Sequence, residues 1–289
     1  MRIGFAGLGV MGAPMAKHLT AAGHEVAGFN RSPDKARAWA AATGGRFAAS
    51  VAEAARGAEL FALCVGNDDD VRQVTGEALA HLAEGAVIID HTTTSARVAR
   101  EMATLAEARG VAFIDAPVSG GQAGAENGQL SVMAGGDAAA LARVEPVLAA
   151  YSKAVKHMGP AGSGQLTKMV NQIAIAGVVQ GLAEAVHFAQ QAGLDTDAAY
   201  DAISKGAAQS WQMDNRWKTA ARGEFDFGFA VDWMRKDLGL VLDEARANGA
   251  NLALTALVDQ FYSEVQAMGG SRWDTSSLAA RLQDRARKR

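Results

Sequence analysis

The first thirty residues leave this chain few folds to choose from. Arg2 to Ala6 is a short apolar strand that runs into Gly7-Leu8-Gly9-Val10-Met11-Gly12, and a helical stretch follows through Met15, Ala16 and Leu19. Gly23-His24 closes that helix, and Glu25 to Phe29 reads as a second strand. Glycines at GxGxxG spacing recur by chance, but between a strand and a helix they form the fingerprint of a dinucleotide-binding βαβ unit. Gly7 permits the tight turn, Gly9 lets a pyrophosphate approach the backbone, and Gly12 lets helix and strand pack closely. The phosphates would rest on the free N–H groups of the helix start, so Leu8, Val10 and Met11 belong to the same candidate cofactor loop.

The tip of the second strand bears on which dinucleotide. An NAD site there usually offers a carboxylate to the ribose 2′-hydroxyl, and an NADP site an arginine to the 2′-phosphate. This chain has Asn30-Arg31-Ser32-Pro33 and no acid at the tip. Asn30 and Ser32 can donate hydrogen bonds, and Arg31 can hold a phosphate in two-point contact. The alternative is a surface arginine in a helix-capping loop. NADP is favoured, with NAD as the other possibility.

Strand-like runs continue at Leu60 to Val65, Ala86 to Asp90, Val111 to Ile114, Leu130 to Ala134 and Ala154 to Met158. Helical segments lie between most of them, such as Ala96 to Arg109 and Ala138 to Ala149. This rhythm predicts an α/β, Rossmann-type, doubly wound and mainly parallel sheet. Ligands in such sheets gather at the carboxyl ends of the strands. Three loops fall there. Asp68-Asp69-Asp70 reads as a helix N-terminus complementing its dipole rather than a cation site. Thr92-Thr93-Thr94 either hydrogen-bonds a nicotinamide ribose or caps the next helix. Ser119-Gly120-Gly121 is small and suits a carboxylate, although most such loops are only turns.

After Pro160 the rhythm breaks. Residues from about 165 to 192 read as one long helix, apolar on nearly every side, which predicts burial between domains or in a subunit interface. All that follows is helical, with glycine breaks. The expected division is a nucleotide-binding domain over residues 1–162 and an all-helical domain over 163–289. The long helix carries a lone lysine, Lys168, among Leu166, Met169, Val170 and Ile173, with Asn171 one turn away on the same face. Burial would lower the pKa of such a lysine and fit it for proton transfer. The bland alternative is that its stem snorkels to water. Trp211 to Trp217 and Phe225 to Trp233 read as core or interface, and Lys236 by itself as an exposed helix charge.

Composition removes several classes. The chain has 289 residues, enough for two domains, and a net charge of −3 with interspersed signs, which gives no electrostatic case for nucleic acid. The basic run Arg281 to Arg289 reads as a solvated helix end. One cysteine, Cys64, cannot form an internal disulfide and fits a reducing compartment. The N-terminus opens on strand-like sequence with no leader pattern. The apolar run Ile173 to Val179 is too short to span a membrane. The expectation is a cytoplasmic protein. No HxxxH, HxH or CxxC pattern supports a metal site, and no GxSxG elbow supports a serine hydrolase.

Four blocks resemble the β-hydroxyacid dehydrogenase family, which includes 3-hydroxyisobutyrate dehydrogenases, tartronate semialdehyde reductases and glyoxylate/succinic semialdehyde reductases. They are Gly7 to Ala16, Asp115 to Gly121, Gly162-Ser163-Gly164 with Lys168 and Asn171, and Lys236-Asp237-Leu238. They occur in the family's order across nearly the whole chain. The resemblance implies hydride transfer between NAD(P) and a short carboxylate-bearing hydroxyacid or semialdehyde. It implies Lys168 as the catalytic lysine, Asn171 as a substrate-orienting amide, and Ser119, Gly120 and Gly121 around the substrate carboxylate. Thr93 then matches a cofactor-contacting threonine, and Lys236 a lysine that approaches the cofactor, against its bland reading. A homodimer or homotetramer built on the long helix is also implied. Departures are His18 where the family usually has Asn, Val65-Gly66 where it has Leu-Pro, and Asp70 where many members have Asn. The latter two weaken Val65, Gly66 and Asp70 as cofactor contacts. Two other readings are an imine reductase, a related scaffold that usually replaces the lysine, and a non-catalytic cofactor-binding scaffold.

Overall fold

The computed structural model describes residues 1–287, with side chains to residue 284. By Cα packing the chain divides into two compact units, Met1–Lys168 and the part from Met169 onward.

In chain order the first unit begins with β1 (Arg2–Ala6), α1 (Gly12–Ala21), β2 (Glu25–Phe29), α2 (Pro33–Thr43) and β3 (Arg46–Phe47). It continues with α3 (Val51–Ala55), β4 (Leu60–Leu63), α4 (Asp68–Leu79), β5 (Val87–Asp90), α5 (Ala96–Glu107) and β6 (Ala112–Asp115). Then come β7 (Val118–Ser119), α6 (Gly121–Glu126), β8 (Leu130–Gly135), α7 (Ala138–Leu148) and β9 (Ser152–Gly159). The strands form one sheet in the order β3-β2-β1-β4-β5-β6-β8-β7, with β9 paired to β8. Pairing is parallel from β3 through β6, while β8 runs antiparallel to β6 and β7. The sheet is thus doubly wound and mainly parallel, as the strand–helix rhythm predicts.

Strands β4 (LFAL) and β5 (VIID) are buried along their whole length. That is why they read as continuous apolar runs rather than alternations: helices cover both faces of a parallel sheet. One apolar cluster on each face does this, around Phe5, Met15 and Leu19 on one side and Phe61, Val71 and Met102 on the other. The two-residue strands β3 and β7 have no pattern of their own and were not legible in the sequence; each is held only by its neighbour.

Helix α8 (Ser163–Gln191) begins in the first unit and continues in the second, starting two residues earlier and ending one residue earlier than the apolar pattern suggests. The rest of the second unit is α9 (Thr196–Ile203), α10 (Trp211–Arg222), α11 (Val231–Asn248), α12 (Ala253–Ala267) and α13 (Leu278–Arg287). Ala176, Val179 and Ala183 of α8 pack with Val231, Met234, Leu238, Val258 and Tyr262. By length and hydropathy α8 is sufficient to cross a membrane, which counting consecutive apolar residues failed to show. Its polar members explain the difference. Gln172 is buried and donates to Asp237 at 2.7 Å, and Gln180 donates to Glu184 at 2.6 Å, so this is a core helix with internal polar partners. It is not apolar-covered on every side either, because Val170, Val178 and Phe188 are exposed.

Met213 and Trp217 are buried, as a core reading requires, whereas Trp211 and Trp233 are exposed. Arg281 is not a solvated helix end. It is buried, with its guanidinium 3.7 Å from the Phe261 ring centroid and 3.4 Å from Glu264. Lys288 and Arg289, and the side chains of 285–287, lie outside the described residues.

Candidate active site

The cofactor turn is built as its glycines require. Gly7 has φ +95°, and a Cβ on it would collide with the Cys64 carbonyl. A Cβ on Gly12 would collide with the Gly7 carbonyl and come within 3.0 Å of the Phe5 ring, so α1 packs directly on its own strand. Gly9 differs from both: a Cβ there would meet nothing within 4 Å. Helix α1 has no side-chain cap and no acid in its first turn, although α4, α5 and α7 are capped by Asn67, Ser95 and Asp137. An uncapped helix start beside an open Gly9 leaves N–H groups and dipole available to an anion. These residues fit a dinucleotide pyrophosphate.

At the tip of β2, Asn30 braces the same turn: its Oδ1 accepts from the Leu8 amide at 3.0 Å and its Nδ2 donates to the Ser32 carbonyl at 3.2 Å. Ser32 stands at the N-cap of α2 without a side-chain cap bond. Arg31 is 90% exposed and lies 3.4 Å from Asp70, whose other oxygen accepts from the Gly66 amide at 3.1 Å. An ion pair that exposed is weak, so the guanidinium remains accessible. The acid triplet is the first turn of α4, as its charge pattern predicts, and among the described residues no cluster of metal-ligating side chains occurs.

The threonine triplet does not cap α5; Ser95 does, accepting from the Val98 amide at 3.1 Å. The threonines tie loops together instead. Thr92 Oγ1 accepts from the Val65 amide at 3.0 Å, and Thr94 N–H donates to Gln165 Oε1 at 3.0 Å. Thr93 is half-buried at the carboxyl end of β5. Ser119 ends β7 opposite Ser131 of β8, and the exposed Gly120 and Gly121 both have positive φ at the start of α6. His18, which the sequence marks as unusual, places its Nε2 3.1 and 3.0 Å from the Ala125 and Glu126 carbonyls, pinning α1 to the end of α6.

Lys168 is 9% exposed, and its Nζ donates to the Val118 carbonyl at 2.9 Å, next to Ser119. Its stem does not snorkel outward. In the second unit, Asn171 Nδ2 donates to Gln172 Oε1 at 2.8 Å, Gln172 donates to Asp237, and Lys236 Nζ lies 3.2 Å from Asp237. One chain of contacts, through the buried Gln172 and Asp237, therefore joins the half-buried Asn171 to the half-buried Lys236.

Two buried titratable groups behind the site were not singled out by the sequence. Asp115, fully buried at the end of β6, accepts from the Gly162 amide at 2.7 Å and the Gln165 amide at 2.9 Å. Burial pushes its carboxyl up to about 6, and those amides oppose the rise. Kept charged at neutral pH, it costs the fold about 3 kcal/mol, regained as pH falls from 6 toward 4. His91 is buried with Nδ1 2.7 Å from the Ala116 carbonyl and Nε2 2.8 Å from the Tyr151 hydroxyl. A carbonyl only accepts, so Nδ1 carries the proton and Tyr151 donates to Nε2. Burial lowers His91 to about 4, against the pull of that carbonyl. Its contribution to stability is full above pH 6.5 and is lost as pH falls toward 4. Replacing it with neutral glutamine should therefore narrow the stability gap between wild type and variant by about 2–3 kcal/mol between pH 7.5 and 4.5. Urea midpoints at the two pH values measure this, and a gap independent of pH would refute it.

Two family profiles together cover nearly the whole chain. The NAD-binding domain of 6-phosphogluconate dehydrogenase matches residues 2–159, and the NAD-binding domain of NADP-dependent 3-hydroxyisobutyrate dehydrogenase matches 162–282. An uncharacterized oxidoreductase of Shewanella frigidimarina is 61% identical over 98% of both chains. The structure of Mycobacterium tuberculosis 3-hydroxyisobutyrate dehydrogenase with L-serine is 35% identical, with a TM-score of 0.88 over 97% of this chain and 98% of that one. Psf3 in complex with NADP+ and 2-OPP is 25% identical, with a TM-score of 0.88 over 97% and 99%. An imine reductase from Pseudomonas sp., at 22% identity and a TM-score of 0.60, shares the fold alone. The chain belongs to the β-hydroxyacid dehydrogenase family, that of the 3-hydroxyisobutyrate dehydrogenases, and is an NAD(P)-dependent hydroxyacid oxidoreductase.

Proposed function

We propose that this protein is an NADP-preferring reductase or dehydrogenase of a short carboxylate-bearing semialdehyde and its 3-hydroxyacid, with Lys168 as the group that moves the proton. The observation that carries this reading is the buried Lys168 ammonium, turned to the Val118 carbonyl beside the Ser119-Gly120-Gly121 turn. The nicotinamide, when bound, supplies or accepts the hydride. In reduction, charge grows on the carbonyl oxygen, and Lys168 stabilises it and delivers a proton. In oxidation, neutral Lys168 takes the hydroxyl proton. Asn171, three residues along the same helix, orients the substrate oxygen. The Ser119 hydroxyl and the Gly120 and Gly121 amides hold the carboxylate. L-serine in the mycobacterial structure, itself a 3-hydroxy carboxylate, supports this substrate class.

Gly7, Leu8, Gly9, Val10, Met11 and Gly12 take the pyrophosphate, while Val65, Thr93 and Lys236 line the rest of the cofactor. Arg31 takes the 2′-phosphate, which is the ground for preferring NADP. The exposed Val170, Phe188, Leu254 and Leu257 support a homodimer or homotetramer. The lone Cys64 supports a reducing compartment such as the cytoplasm.

The test is initial-rate oxidation of NADPH and NADH, each with glyoxylate and with succinic, tartronate and methylmalonate semialdehydes. One of these aldehydes should turn over, with NADPH preferred. Arg31→Ala should raise KM for NADPH by about 10-fold or more and leave that for NADH within a factor of two, since it removes one charge-assisted contact. Tight NADPH binding without turnover of any carbonyl would sink the reductase reading. Equal sensitivity of both cofactors to Arg31→Ala would sink the NADP preference alone.

A further inference from the structure

Lys168 can act only if the first turn of α8 is held at a defined height above the sheet, and the structure shows what holds it. The chain leaves β9 through Gly159-Pro160 and must start a helix directly against the ends of β6 and β8. There is almost no room. A Cβ on Gly164 would lie 2.5 Å from the Asp115 carbonyl and 2.9 Å from its carboxylate, and one on Gly135 would lie 2.6 Å from that carboxylate. Gly162 turns the chain with φ +92°. Into this contact Asp115 projects a fully buried carboxylate whose two oxygens take the Gly162 and Gln165 amides. Gln165, also fully buried, adds a second brace: its Nε2 donates to the Thr92 carbonyl at 2.7 Å and its Oε1 accepts from the Thr94 amide.

We propose that Asp115, seconded by Gln165, is the positioning residue for Lys168: it clamps the first turn of α8 to the ends of β5 and β6 and so sets the lysine beside Val118 and Ser119. This rests on the reading of Lys168 as the proton-transfer group. The geometry is specific to the task. Lys168 follows Gln165 by three residues, so one turn of helix separates the clamp from the ammonium. Both ends of that turn are tied to the same loops, at Thr92 and Thr94 after β5 and at Asp115 and Val118 around β6 and β7. Other helix starts in this chain are capped by side chains that stay at least partly exposed, Ser95, Asp137 and Ser210 among them. Here the fold buries a whole carboxylate, raised well above its usual range, to hold two amides three residues apart. Rigid placement of this kind matters to catalysis because about 1 Å of misplacement is worth about 100-fold in rate.

Asp115→Asn is the direct test. An amide offers one oxygen, and its NH2 would confront the other backbone N–H as donor to donor. The expected result is a kcat lowered by about 10–100-fold, with KM and Kd for NADPH within a factor of two, because the Gly7–Gly12 turn is untouched. In a Lys168→Ala background the same substitution should change the residual rate less than about 2-fold, since a residue that acts through another has nothing left to position. Gln165→Glu, which keeps the acceptor for Thr94 and loses the donor to Thr92, should show the same kcat-only loss and carries the test should Asp115→Asn fail to fold. Wild-type kcat in these variants, or an equal loss with and without Lys168, overturns the positioning role. Turnover within a factor of ten of wild type in Lys168→Ala overturns the underlying assignment as well, so the two failures are distinguishable.

Discussion

Lys168→Ala should lose turnover by about a thousandfold or more while binding NADPH as the wild type does. General acid–base help is worth about 10²–10⁴ in rate, and removing a preformed donor to a developing oxyanion costs a further 10²–10³. The two overlap in one ammonium, so the factors do not multiply in full. Little else should change. The side chain is buried with its Nζ donating to the Val118 carbonyl, and the cofactor turn lies at the other end of the unit's sequence. Lys168→Arg separates the roles: arginine keeps the charge but does not release its proton at any working pH. Oxidation, which needs a neutral base, should be lost as completely as in the alanine variant. Single-turnover rates beside NADPH titrations measure both. Turnover within a factor of ten of wild type in Lys168→Ala would leave the protein a cofactor-binding oxidoreductase whose proton comes from elsewhere.

Gly9→Ala should weaken dinucleotide binding by about 100-fold, equivalent to about 2.7 kcal/mol, and leave the fold intact. The three glycines of the turn look alike in the sequence, yet they fail differently on substitution. At Gly7 and Gly12 an added methyl strikes the protein's own backbone, so those variants would disturb the turn itself. At Gly9 the methyl meets nothing of the protein. It would stand where a pyrophosphate must approach the uncapped first turn of α1. The thermal midpoint without cofactor should stay within about 2 °C of wild type, and the rise in midpoint that NADPH gives the wild type should be lost. Wild-type affinity in Gly9→Ala would mean that the phosphates do not sit on this turn. A large fall in the cofactor-free midpoint would mean that Gly9 is a structural glycine after all.

Much of this was readable from the chain alone, for a physical reason. The glycine turn, the parallel strands β4 and β5 and the long apolar helix α8 are short-range patterns: a turn needs positive φ at a stated position, and an element buried on both faces is apolar along its length. The order of the four family blocks is likewise a property of the linear chain. Asp115, Gln165 and His91 were different. Asp115 reads as the polar end of an apolar strand, and no signal in its neighbourhood says that the amides it holds lie 47 and 50 residues downstream. His91 finds Tyr151 60 residues away, and with it a tautomer and a lowered pKa. The threonine triplet shows the same limit, since its partners are Val65 and Gln165 rather than the helix it precedes. Local sequence determined where the strands, turns and helices stand and that a lysine lies on the buried start of α8. Only the tertiary structure decided what that lysine is held by, because hydrogen bonds between residues far apart in the chain exist only once the sheet has brought the ends of its strands together.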